Sequence, residues 1–287
     1  EPSVRVEVCL DCHVGSADRF ATHRMMAAGH PRLAFELETF TELWRTSGGR
    51  EHYRVDADYW VRKGGGDAKP VSSSATWCAG LFATAARKLD LLAGPRFAGS
   101  SLVPEFGLFN CYSCHRTMRL ARWRDKGDAD VDPGNLKFDD GSLRMLEALI
   151  GSTGTADRAA ELHALIAAWQ RSAGADREHA AAATSELARW IGEERRRHVG
   201  RGLDPAQARA ALGLMAHAAD QGQFADYASA EQAAMGSVIL LLESGGTVKR
   251  ARPVGDLFDA LTDDDHYDAA HFRAILRRLD DQRQPAN

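Results

Sequence analysis

Cys9-Leu10-Asp11-Cys12-His13 (residues 9–13) and Cys111-Tyr112-Ser113-Cys114-His115 (residues 111–115) are two copies of Cys-x-x-Cys-His, and they use four of the chain's five cysteines. Two thiols three residues apart lie on one turn, from which each can form a thioether to a haem vinyl group. The histidine that follows then lies beneath the iron as its proximal ligand. The spacing predicts two covalently attached haem c groups, held by Cys9, Cys12, Cys111 and Cys114, with His13 and His115 as axial ligands. Because such a macrocycle fills space that helices otherwise fill, the surrounding chain is expected to be irregular.

Two other chemistries use paired thiols: a structural zinc site built from both pairs, and a redox-active dithiol. Both leave the histidines unexplained. Histidine fills 11 of 287 positions, so its falling directly after both pairs by accident has odds of about one in seven hundred.

An iron so bound needs a sixth ligand or an open site. Downstream of the first motif, His23 and His30 are seven residues apart in Ala21-Thr22-His23-Arg24-Met25-Met26-Ala27-Ala28-Gly29-His30-Pro31-Arg32, two helical turns and nearly one face. They are the expected distal ligands, one for each iron, which would bring both haems close to a single helix. Met25 and Met26 are weaker thioether candidates, and His52 is a reserve imidazole. Arg32 is placed to meet a haem propionate, and Arg116, Arg119, Arg122, Arg124 and Lys126 form a basic segment beside the second motif.

These residues carry a resemblance. The run from Val8 to Phe40, the segment Trp77-Cys78-Ala79-Gly80 with Ala86 to Ala93, the stretch from Pro104 through His115, and more weakly Asp265 to Ala274 resemble multihaem c-type cytochromes related to the cytochrome c554 group. Cys78 stands where a small residue is usual in that family. The resemblance implies multihaem electron transfer outside the cytoplasm with histidine on both axial faces. Such proteins usually carry further haem motifs upstream, so the chain reads either as a reduced, two-haem member or as a domain of a longer one.

With 44% hydrophobic residues, 26% charged residues and a net charge of −4, the chain can bury a core and has no global attraction for nucleic acid. With both haems attached only Cys78 stays free, reading as a small buried hydrophobe. No stretch approaches the roughly 20 apolar residues of a membrane span. Glu1-Pro2-Ser3 has no basic region followed by an apolar one, so any export signal is expected to have been removed. Haem attachment then places the chain in the periplasm, with other redox proteins, cytochromes or a membrane quinol-linked donor, as partners.

The expected fold is mainly α, with a loop-rich dihaem region over 1–140 and a helical bundle over 141–287. In the first region helices are expected over 23–28, 33–44 and 75–92, and after His115; glycine runs and Ser72-Ser73-Ser74 mark loops. In the second, Leu162, Leu165, Ile166 and Trp169 form one apolar stripe, and Leu187, Trp190 and Ile191 another. Asp204-Pro205-Ala206-Gln207 opens a third helix carrying Leu212, Leu214 and Met215. Two more are expected over 225–243 and 268–279. Glu193 to Arg197 and Asp263-Asp264-Asp265 read as surface charge runs, and Trp44, Trp60, Trp77, Phe109 and Tyr112 as core or porphyrin packing. The expected activity is electron transfer through two bis-histidine haems. The alternative is a haem enzyme or a sensor of nitric oxide, peroxide or a nitrogen oxyanion with one open iron.

Overall fold

The computed structural model describes residues 2–32, 34–36, 38–46, 72–98, 105–115, 131, 135–154, 156–246 and 252–281. His52, Trp60, the basic segment 116–126 and the glycine runs lie outside them. The fold is mainly α: among the described residues, the only β pairing is an isolated antiparallel bridge between Phe109 and Phe138. No described helix is long and apolar enough to cross a membrane.

The first motif ends a full helix, α1 (Pro2–His13). Val6, Leu10 and Val14, at i, i+4 and i+8, are buried to 2% exposure or less, one stripe that packs on α4 (Ser73–Ala93). Helix α2 (His23–Ala27) is shorter than the spacing of His23 and His30 requires. Gly29 N–H bonds to Met26 O at 2.9 Å and His30 N–H to Met25 O at 3.1 Å, with Gly29 at φ +102°. This is a Schellman termination, in which glycine takes the left-handed conformation without steric cost. His30 is thus turned off the helix that carries His23, and the two do not share a helical face.

Helix α3 (Glu38–Thr46) starts later than its expected Leu33. The Glu36 carboxylate accepts from the N–H groups of Glu38 (2.8 Å) and Thr39 (2.6 Å), which opens the helix there. Ser72, expected in a loop, is the N-cap of α4, its hydroxyl accepting from Ala75 N–H at 3.2 Å. After the four-residue α5 (Pro95–Ala98), the chain passes through two 3₁₀ turns, Phe106–Leu108 and Cys111–Ser113. The bundle then runs α6 (Gly141–Ser152), α7 (Ala156–Ser172), α8 (Arg177–His198), α9 (Pro205–Asp220), α10 (Tyr227–Glu243), α11 (Arg252–Asp259) and α12 (Ala269–Asp281). Asp204 and Gln207 form the expected capping box. Leu212 and Met215 are buried, whereas Leu214 is 38% exposed. The run 193–197 is not all surface: Glu194 is 2% exposed, on the same face as Trp190 and Ile191, and Arg158 and His198 satisfy it.

One apolar core runs through residue 140. Helix α4 packs on α1 and α3 from the first region and on α6, α8 and α10 from the second, with Trp77, Phe82 and Leu89 buried to 1% exposure. The approach of α10 to α4 needs a glycine. A Cβ on Gly236 would stand 2.9 Å from Trp77 Cζ2 and 3.3 Å from Met145 Sδ. Gly236→Leu should therefore destabilise the protein by about 3 kcal/mol, read from the denaturant midpoint.

Candidate functional site

The second motif lies on a short, exposed turn, and it is held from behind. Asn110 Oδ1 accepts from Tyr112 N–H at 2.9 Å, capping the turn, and His115 N–H bonds back to Cys111 O at 2.8 Å. Asn110 N–H donates to Lys137 O at 2.7 Å and Lys137 N–H to Ser113 Oγ at 3.0 Å. Asn110 Nδ2 donates to Asp226 Oδ1 at 2.7 Å, and Lys137 Nζ reaches Asp226 Oδ2 at 2.8 Å and Asp140 Oδ1 at 3.2 Å. Asp140 in turn pairs with Arg144 Nε at 3.0 Å. All five of these side chains are buried, so each charge depends on its partner. Burial alone would raise the Asp226 carboxyl. The Lys137 ammonium, helped by donors from Ser229 and Asn110, outweighs it and holds the group at about 2. In front of this base Cys111, Cys114 and His115 are exposed. Tyr112 meets the fully buried Tyr267 edge-to-face at 6.4 Å.

Opposite His115 stands His23. Their ring centroids are 6.3 Å apart with planes tilted by 35°. With metal–nitrogen bonds of about 2 Å and ring nitrogens about 1 Å from the ring centre, two imidazoles that hold one metal atom between them have centroids roughly 6 Å apart. Residues 92 positions apart are thus brought to the separation that one two-sided ligand pair demands.

The first motif is built differently. Leu10 is buried under the helix, Cys9 is half-buried, and Cys12 and His13 are exposed at the end of α1. Arg87 of α4 donates to Asp11 Oδ1 at 2.8 Å and to Gly15 O at 2.7 Å, tying the motif to the central helix. His13 stacks on Phe35 with centroids 4.9 Å apart. His30 is exposed and makes no ring contact with His13. Its Nδ1 lies 2.7 Å from Pro31 O; a carbonyl only accepts, so Nδ1 is the donor, and the neutral ring with this hydrogen bond is the Nδ1–H tautomer, the one that offers Nε2 to a metal.

Arg32 is half-buried, 3.1 Å from Glu231 Oε1, with its guanidinium 4.5 Å from the Tyr227 ring centre. Its positive charge bears on the Cys111 thiol, against the burial that pushes that thiol up. Met25 is 45% exposed. Cys78 is buried in α4, where desolvation pushes its thiol up to about 12, the inert behaviour expected of it. Among the described residues, the only three or more histidine, cysteine or carboxylate ligands whose donor atoms lie within 4.8 Å of one another are Asp263, Asp264 and Asp265. The two Cys-x-x-Cys pairs therefore do not converge on one tetrahedral site.

Sequence reasoning missed Glu105, Asn110, Lys137, Asp226 and Phe35. Asp226 and Asn110 left a trace, as residue types favoured for capping just before helical turns; Glu105 caps a turn as well, but glutamate is not a residue that signals it.

The network behind the second motif carries a pH dependence of known sign. The Asp226 carboxyl is depressed in the folded chain, so its stabilisation is present above the unfolded value of about 4 and is lost as pH falls from there towards 2. Asp226→Asn should cost about 3 kcal/mol at neutral pH and flatten that part of the acid limb in urea melts taken across a pH series. Compared with protein-family models, with curated proteins and with solved structures, the chain shows no match.

Proposed function

We propose that the chain is a dihaem c-type cytochrome that transfers electrons in the periplasm between redox partners. The observation that supports this reading best is the 6.3 Å imidazole pair His23 and His115, adjacent to a Cys-x-x-Cys pair whose thiols are free and exposed. That donor set fits a haem c: Cys111 and Cys114 would hold the macrocycle, and His115 and His23 its iron from the two sides. Cys9, Cys12 and His13 would hold the second group, with His30, its Nε2 free to accept a metal, as the candidate for the opposite side. The resemblance to the cytochrome c554 group points the same way.

Bound haem supplies a one-electron couple. The chain's own contribution would be to offer an imidazole from each of His115 and His23 at the second motif, leaving no room there for a substrate, and to keep those ligands still. The buried base of Asp226, Lys137 and Asn110 fixes the turn, and Phe35 fixes the plane of the His13 ring. Exposure of both motifs leaves each within reach of a docked redox protein.

One observation favours a second reading, a haem enzyme or small-ligand sensor. His13 stacks on the phenyl ring of Phe35, and an iron held by His13 alone would leave room for a small ligand.

A pyridine haemochrome assay should count two haems per chain. Carbon monoxide titration of the reduced protein then separates the readings: no binding supports pure electron transfer, and one CO per chain supports an open first iron. In either case His23→Ala should bind one more CO per chain than wild type, and fewer than two haems in the haemochrome assay would sink the proposal.

A further inference from the structure

We propose that Glu105 is the positioning residue that keeps His23 opposite His115; this rests on the two-haem reading. Helix α2 has five residues and none of its side chains is buried. A helix so short is not stable by itself, and with no fully buried side chain it is only weakly located by packing. The His23 imidazole must nevertheless be held to within a fraction of an ångström if it is to be a strong ligand.

The hold comes from the 3₁₀ turn Phe106–Leu108 and the residue before it. Glu105 Oε1 accepts from His23 N–H at 2.7 Å and from Gly107 N–H at 2.9 Å. One carboxylate oxygen therefore joins the backbone of the distal candidate to the backbone that leads, four residues later, into Cys111. The Phe106 ring adds an edge contact to the His23 imidazole at 5.9 Å. Gly107 lets the two segments approach: a Cβ there would come within 3.2 Å of Ala21 O, His23 N and Glu105 Oε1.

The clasp acts on the main chain of His23 and leaves its ring nitrogens for the metal. Without it, α2 keeps its internal hydrogen bonds and the Phe106 edge contact but loses the hydrogen bond that fixes the His23 backbone against the second motif. The expected consequence is loss of the sixth ligand from one haem while the bundle stays folded.

The test uses purified holoprotein with carbon monoxide as the probe. Glu105→Ala should carry two haems, keep its far-ultraviolet dichroism, show a high-spin Soret component for one haem, and bind one more CO per chain than wild type. Glu105→Gln, whose side-chain oxygen can accept from the same two N–H groups, should keep the wild-type spectrum and CO stoichiometry. Should Glu105→Ala not accumulate, Gly107→Ala retains the carboxylate and places a methyl group 3.2 Å from Ala21 O, His23 N and Glu105 Oε1, crowding the clasp, with the same gain of CO binding expected.

Wild-type CO stoichiometry in Glu105→Ala, or in Gly107→Ala where that variant stands in, overturns the positioning role. So does a Gln variant that behaves like Ala. If His23→Ala gains one CO and Glu105→Ala does not, only the positioning role fails. If His23→Ala gains none, the ligand assignment fails and the positioning role with it.

Discussion

A buried carboxylate, Asp226, holds the second motif to the bundle. It accepts from Asn110 Nδ2 and Lys137 Nζ and caps its own helix α10 through Ser229 N–H at 2.9 Å. Three segments far apart in sequence, around residues 110, 137 and 226, meet at one pair of oxygens. A buried ion pair of this kind adds little net stability over an apolar replacement, because its desolvation is costly. Its effect is on geometry: the charge is tolerable only in the arrangement that satisfies it, so the turn bearing Cys111, Cys114 and His115 has one place to sit.

The two motifs solve the same problem by different physics. Cys9, Cys12 and His13 sit on a regular helix whose Val6 and Leu10 are fully buried against α4, so apolar packing sets their position. Cys111, Cys114 and His115 sit on a 3₁₀ turn too short to bury such a stripe, and polar contacts take over. The difference extends to the axial candidates. His23 is fixed through its backbone and by the ring of Phe106, and His30 lies beyond a Schellman turn with one ring nitrogen tied to a carbonyl.

Arg32 is read one way from its neighbours in sequence and placed by the fold among other partners. Next to His30-Pro31 it reads as a partner for an acidic group near the haem. In the fold it pairs with Glu231 and stacks on Tyr227, both from α10, while its charge still bears on Cys111. The same residue therefore joins the motif-bearing half to the bundle.

Much of this was legible locally. The Cys-x-x-Cys-His spacing, the apolar stripes of α7 and α8 and the capping box of Asp204 and Gln207 are patterns within a few residues, and local patterns survive folding. Helix α1 was less visible, because Val4, Val6 and Val8 alternate with a period of two and Val6, Leu10 and Val14 become a stripe only when α4 covers them. Tertiary structure decided the rest: the burial of Glu194, the parting of His23 from His30 at Gly29, the single core through residue 140, and the meeting of His23 with His115. Spacing along the chain limits which residues can share a turn. Which imidazole faces which depends on backbone contacts such as Glu105 with His23, across 82 residues, and on charges that become costly only once they are buried.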